Sequence, residues 1–237
     1  MLSRAFVGGL GFGGVDQRVP NTSPHLANVW WADEIALPSQ LPGRLWRITP
    51  TGVLHEFPLP TPDCWPVSIA SGLDGTLWLA EFGANRIAHV TVQGDVTEFD
   101  VEDCRPLAIA VGPDSAAWFV DVDHSRLGRI GPDGKLSFVP RPGGHVPHRG
   151  LVCGPDKNLW MVGEAGLVRV NLAARRLRNG SIIELRTEKW PGRLAVGPNN
   201  DLWFTERNDP AIGRITSDGT IKRFAIPQPA RAIVNGP

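Results

Sequence analysis

The sequence predicts an all-β protein, a β-propeller of four-stranded antiparallel blades, and three observations carry that prediction. A Trp following Leu or Ala recurs at Trp78, Trp118, Trp160 and Trp203, at spacings of 40, 42 and 43 residues. Each Trp is followed by a run with a basic residue near its middle: Arg86-Ile87-Ala88-His89-Val90, Leu127-Gly128-Arg129-Ile130, Leu167-Val168-Arg169-Val170 and Ile212-Gly213-Arg214-Ile215. Turn signals separate the runs, as in Gly112-Pro113-Asp114, Gly154-Pro155-Asp156 and Gly197-Pro198-Asn199. A period of about 40 to 45 residues with four short strands per unit marks a propeller blade. One such sheet cannot bury both of its faces alone, whereas sheets stacked face to face around an axis can.

In chain order, Met1 to Gly14 has one Arg and an apolar stretch broken by five glycines, a poor secretory signal. Residues 1–26 are read as an N-terminal arm, or as a degraded first strand built on Ala5-Phe6-Val7, and 27–237 as a single propeller domain. Val29-Trp30 precedes Trp78 by 48 residues, with a Pro-rich insertion around Pro38 to Pro42. Third strands begin with Leu45-Trp46-Arg47-Ile48, and fourth strands end at Phe57, Phe99, Phe138, Leu185 and Phe224. First strands are expected near Pro66, Pro106, Arg149, Gly192 and Arg231. Arg231-Ala232-Ile233-Val234 complements an opening unit that lacks a clear first strand, so five blades closing on themselves are expected. The alternatives are six blades, with Ala5 to Gly9 as the missing strand, or an incomplete ring of a larger propeller.

Composition narrows the function. Lys plus Arg and Asp plus Glu balance at 24 each, giving no electrostatic case for nucleic acid or an anionic membrane. No run approaches the ~20 apolar residues needed to span a bilayer. The odd count of three cysteines, Cys64, Cys104 and Cys153, argues against a disulfide framework. Cys64 and Cys104 hold the same place in adjacent units, but nothing forces a bridge between them, and free thiols are expected. No Cys and His spacing suits a metal. A serine-nucleophile elbow and a phosphate-cradling Gly-rich loop are both absent. A small-molecule ligand, a monomer, and a cytoplasmic rather than secreted location are expected.

The blade geometry points to one rim. The start of a first strand and the end of the second strand lie side by side there, which brings His148 towards Glu164. A His beside a carboxylate is held in one tautomer and gains basicity. His145, Arg149 and Asp123-His124 fall on the same rim, Arg105 and Arg193 start neighbouring strands, and Trp65 and Trp190 precede theirs. Such a mouth suits an amphipathic ligand. Glu81, Asp121 and Glu206, each three residues after a blade Trp, read as structural carboxylates that accept from turn amides or pair with neighbouring arginines. The basic position of the third strand (Arg47, His89, Arg129, Arg169, Arg214) reads as a packed stem whose head meets a carboxylate or carbonyl.

The segments Gly197-Pro198-Asn199-Asn200-Asp201-Leu202-Trp203-Phe204-Thr205-Glu206, Arg47-Ile48-Thr49-Pro50-Thr51-Gly52 and Glu56-Phe57-Pro58-Leu59-Pro60 resemble the repeat of the virginiamycin B lyase (streptogramin lyase) family. The resemblance runs from about Trp30 to the C-terminus. It implies a propeller that opens a cyclic depsipeptide antibiotic by elimination, as a carbon–oxygen lyase that confers antibiotic resistance. In that family a His removes a proton alpha to a carbonyl, and magnesium near carboxylates stabilises the enolate-like charge. Carried onto this sequence, His148 is the base, Glu164 holds or approaches Mg2+, and Arg149 or Arg105 orients substrate carbonyls. Arg149 intervenes between His148 and Gly150, and Val146 stands where the family has an acidic residue two before the His. Two other functions fit the same scaffold: a catalytically silent propeller that binds a ligand or protein, and a metal-dependent lactonase-like hydrolase.

Overall fold

In the computed structural model, the described residues are 17–18, 29–32, 42–49, 51–72, 74–124, 126–140, 150–163, 166–172, 182–197, 201–216, 219–230 and 233. They form five four-stranded sheets, every neighbouring pair antiparallel. The first holds β1 (Gln17–Arg18), β2 (Val29–Ala32), β3 (Pro42–Ile48) and β4 (Leu54–Pro62). The second holds β5 (Pro66–Ser71), β6 (Leu77–Glu81), β7 (Arg86–Val90) and β8 (Val96–Asp100). The third holds β9 (Pro106–Val111), β10 (Ala117–Asp121), β11 (Arg126–Ile130) and β12 (Leu136–Pro140). The fourth holds β13 (Leu151–Cys153), β14 (Leu159–Val162), β15 (Gly166–Val170) and β16 (Ile182–Arg186). The fifth holds β17 (Pro191–Val196), β18 (Leu202–Glu206), β19 (Ala211–Ile215) and β20 (Ile221–Ala225).

Chain order within a sheet is also spatial order, and the first strands pack side by side: β5 on β9, β9 on β13, β13 on β17, with β1 and β2 on β5. The inner strands thus converge on an axis and the fourth strands form the outer edges, which is propeller architecture. The first sheet takes its inner strand from Gln17–Arg18, inside the segment read as an arm. Ala5 to Gly9 lies outside the described residues, as does Arg231–Val234 apart from Ile233.

Alternation along the strands covers both faces of each inner sheet. Between the second and third sheets, Trp78, Ala80 and Ile87 meet Ile109, Ala117, Phe119 and Ile130. Between the third and fourth, Trp118, Val120 and Leu127 meet Leu159, Met161 and Val168. Between the fourth and fifth, Trp160, Val162 and Leu167 meet Leu194, Leu202 and Phe204. Each Trp therefore looks towards the following sheet, and Trp78, Trp118 and Trp160 are buried. On the fifth sheet the same face carries no following sheet among the described residues. Trp203 and Ile212 are only half-buried there, and Phe224 is 41% exposed.

The third-strand glycines have a steric cause. A Cβ on Gly128 or Gly213 would enter the ring of Phe119 or Phe204, whose side chains cross the neighbouring strand at those points. The basic position of the third strand behaves as its chemistry suggests. Arg129 pairs with Asp114 at 2.7 Å, Arg169 with Asp156 at 2.6 Å and Arg214 with Asp201 at 2.9 Å. Their guanidinium groups lie 6.0, 5.9 and 5.7 Å from the rings of Trp118, Trp160 and Trp203. Trp118 and Trp160 are thus each clamped between the following sheet and a cation on their own sheet, whereas Trp203 has the cation alone among the described residues. No helix among the described residues is long and apolar enough to cross a membrane.

Candidate functional site

One hydrogen bond recurs at the rim where inner strands begin and second strands end. The carbonyl before the inner strand accepts from the amide just after the second strand: Phe82 to Trp65 at 3.0 Å, Val122 to Arg105 at 3.2 Å, and Arg207 to Trp190 at 2.8 Å. Trp65, Arg105 and Trp190 therefore occupy one position in the second, third and fifth sheets; Arg105 precedes its strand, as the two Trp do, rather than starting it, and Arg193 lies inside β17. All three side chains are exposed, Trp65 by 44% and Trp190 by 64%. Trp65 also takes a left-handed backbone, φ 45°, which is uncommon for a bulky residue.

Arg105 reaches this rim already paired. Its Nε donates to both oxygens of Asp123, at 3.0 and 2.9 Å, and its Nη2 donates to Oδ1 at 2.5 Å. The guanidinium also lies 5.2 Å from the ring of Phe82. That hydrogen bond and its charge hold the Asp123 carboxyl below the ordinary carboxylate range.

Beneath the rim lie the recurring carboxylates, and they part company. Asp121 is fully buried and accepts from Arg126 Nε at 2.6 Å, His124 Nδ1 at 3.0 Å and the Asp123 amide at 3.0 Å. Burial pushes its pKa upward, but these donors outweigh burial and leave it below the ordinary value. Glu206 is held by Arg223, whose Nε lies 3.0 and 2.8 Å from the two oxygens. Glu81 corrects the sequence expectation that all three would find donors. It is fully buried; among the described residues no amide or arginine donates to either oxygen, and the Cys64 thiol is its one weak donor. Arg86, which stands where Arg126 stands in the third sheet, is taken by Glu98 at 2.8 Å, Thr61 at 2.9 Å and Asp100 at 2.9 Å. Burial, and then the charge of Glu98, raise the Glu81 pKa to about 8.

The fourth sheet breaks this pattern. Gly163 stands three residues after Trp160, where the other sheets place the buried acid, and its amide donates to Gly166 O at 2.6 Å. The next residue is Glu164. Glu164, His145, His148 and Arg149 lie outside the described residues. What is described is the pair of strands that they flank. Leu151 pairs with Met161, and the Val162 amide donates to Gly150 O at 3.3 Å. Gly150 has φ 112°, and a Cβ there would lie 3.6 Å from Gly192 O and 3.7 Å from Leu194 N. Gly150 thus lies within van der Waals reach of the inner strand of the fifth sheet, with Val162 Cγ2 of its own sheet nearer, 3.2 Å from that Cβ position.

The sequence reading missed a cavity of about 320 Å³ on the same rim, lined by Glu188, Lys189, Trp190, Arg207 and Asn208. Only Trp190 of this set was marked by repeat position. Arg207 could have been found as the residue that follows the buried acid of its sheet. A second cavity, about 350 Å³, lies by Ala84, Asn85, Asp100, Glu102 and Asp103. Among the described residues no group of three or more His, Cys, Asp or Glu is placed to hold a metal ion. Cys64, Cys104 and Cys153 are free thiols.

The profile of the Virginiamycin B lyase family matches residues 32–186. The fold is similar to selenomethionine-substituted virginiamycin B lyase from Staphylococcus aureus, with 28% identity, 85% of this chain and 67% of that one covered, and a TM-score of 0.71. It is similar to a catalytically inactive variant of that enzyme with quinupristin, with 27% identity, 91% and 76% covered, and a TM-score of 0.73. A streptogramin B lyase structure shares 29% identity over 86% of this chain and 66% of that one, with a TM-score of 0.71. The chain thus spans between 66% and 76% of the length of these structures. No curated protein sequence matches it.

Proposed function

The chain belongs to the virginiamycin B lyase family, and from that membership we propose that it is a lyase-type propeller that opens a cyclic depsipeptide, or a related lactone ester, by elimination. The family match carries the reading, because residues 32–186 include both His148 and Glu164. Two features of the fourth sheet support it. The segments holding His148 and Glu164 leave the same end of the paired β13 and β14. That sheet alone among the second to fifth has Gly163 in place of the buried acid, so its carboxylate falls one residue later.

In this reading His148 is the general base. It takes the proton on the carbon next to the one that bears the ester oxygen. Only that loss lets the C–O bond break as the C=C bond forms, with the electron pair leaving on a carboxylate. The proton ends on His148, no water is consumed and the ring opens at constant mass. Arg149 binds and orients the carbonyl that acidifies this proton. Arg105, held by Asp123, borders the mouth rather than reaching across it. Magnesium, when bound, would supply positive charge for the developing enolate. Glu164 is the residue proposed to hold it, with Val146 offering no second carboxylate and no described cluster taking its place. The chain is proposed to act as a cytoplasmic monomer on a small molecule, and the free thiols fit a reducing compartment.

The test is incubation with quinupristin and magnesium, followed by chromatography and mass analysis. A product of altered retention and unchanged mass is expected, formed roughly 10²–10⁴-fold more slowly by His148→Ala, the range for loss of a general base. A product heavier by one water would assign the lactonase-like function instead. Unchanged quinupristin would leave a binding propeller.

A further inference from the structure

We propose that Trp190 and Arg207 form a subsite for a planar aromatic ring carrying a carboxylate, the ring on the indole face and the carboxylate on the guanidinium. The inference rests on reading this rim as the ligand-binding face, and it names the chemistry that the fifth sheet recognises.

Four observations carry it. Trp190 is the most exposed large hydrophobic residue among those described, at 64%, on a rim position where the chain is otherwise anchored. An indole left open beside a cavity of about 320 Å³ is an apolar platform with a space above it. The platform is held from below. The Trp190 carbonyl accepts from the Arg207 amide at 2.8 Å, and Thr187 Oγ1 donates to Lys189 O at 2.6 Å. Asp209, two residues after Arg207, is fixed by Arg223 at 2.7 Å and meets Lys189 Nζ at 3.8 Å.

Arg207 supplies the charge. Arg86, Arg105, Arg126 and Arg223 on this rim each grip a carboxylate. Arg207 has no carboxylate within ion-pair distance among the described residues, although it lines the cavity with Trp190. Its stem runs over the β17 backbone, its Cγ lying 3.6 Å from where a Cβ on Gly192 would be. Lys189 adds a second positive charge, already turned to Asp209. Glu188, on the same wall, opposes a carboxylate placed on its side and favours the orientation towards Arg207. A planar guanidinium next to an open aromatic face matches a flat anion better than a flexible one, because it accepts a carboxylate in two parallel hydrogen bonds.

The probe is benzoate, titrated into the full chain labelled with ¹⁵N-Trp, with the Trp190 indole signal assigned by Trp190→Phe. A saturable shift is expected at the Trp190 indole and not at Trp65. The midpoint should rise at least fivefold in Arg207→Ala, recover in part in Arg207→Lys, and fall in Glu188→Gln. Benzyl alcohol, with the ring and no charge, should bind at least fivefold more weakly than benzoate. A shift that does not saturate, that is equal at Trp65, or whose midpoint ignores Arg207→Ala and Glu188→Gln would overturn the proposal. No turnover is involved. Benzoate binding without elimination would refute the lyase reading and keep the subsite, and elimination without benzoate binding would do the reverse.

Discussion

Glu81 is the residue at which charge and burial are least reconciled. Two acids, Glu81 and Glu98, share a neighbourhood with one arginine, and Arg86 goes to Glu98. Glu81 therefore keeps its proton in the folded state up to about pH 8, against a usual value of 4.5. The unfolded chain ionises this group above its ordinary pKa and the folded chain does not. Stability is thus undiminished below about pH 4.5, falls as the pH rises towards 8, and is fully reduced above that. Glu81→Gln should match the wild type in urea midpoint near pH 4 and exceed it increasingly up to pH 8, by an amount on the order of a few kcal/mol. A difference that does not change with pH would contradict the assignment. Asp121 is the opposite case, with three donors on a buried carboxylate. Asp121→Asn should lower stability by roughly 1–3 kcal/mol at pH 7, since Arg126 and His124 lose the charge they meet. The deficit should shrink as the pH falls through the depressed Asp121 pKa, and calorimetry at two pH values reads it.

At the level of strands, the propeller could be read from the chain because its period is built from side chains that cannot be exchanged. Each Trp has to fill the gap to the next sheet, so Trp78, Trp118 and Trp160 recur with their strands. The third-strand Gly recurs because Phe119 and Phe204 lie across it. Gly128→Ala should therefore destabilise by about 1–3 kcal/mol through overpacking. Combining it with Phe119→Leu should cost less than the sum of the two, because the shorter side chain vacates the space. Additive thermal shifts would show that the ring and the glycine are not in contact. β1 could not be read in this way. Gln17–Arg18 has two residues, neither apolar, and pairs through its backbone with Val29 and Trp30. The acids at the ends of the second strands were legible as a set, but their pairing was not. Which arginine serves which acid depends on third- and fourth-strand positions that differ from sheet to sheet, Glu98 in the second and Arg223 in the fifth.

For the whole molecule, converging inner strands give a shared rim, and the sheets divide labour along it. The third sheet pairs its rim arginine with Asp123, the second and fifth leave Trp65 and Trp190 exposed, the fifth adds the open Arg207, and the fourth exchanges its buried acid for Gly163. The sequence singled out the fourth sheet through His148 and Glu164 and marked Trp190 by repeat position. It did not reveal Arg207, whose interest comes from lacking, among the described residues, the carboxylate that the other rim arginines hold, a property of three-dimensional neighbours alone. That the face of Trp203, Ile212 and Phe224 carries no following sheet among the described residues was also hidden, since periodicity makes the fifth sheet look like the third. Ring opening without water is the central claim, and the fate of solvent oxygen tests it most directly. Quinupristin opened by this protein in H₂¹⁸O should yield a linear product of unchanged mass with a new C=C bond and no ¹⁸O. Incorporation of one ¹⁸O into the new carboxylate would contradict elimination.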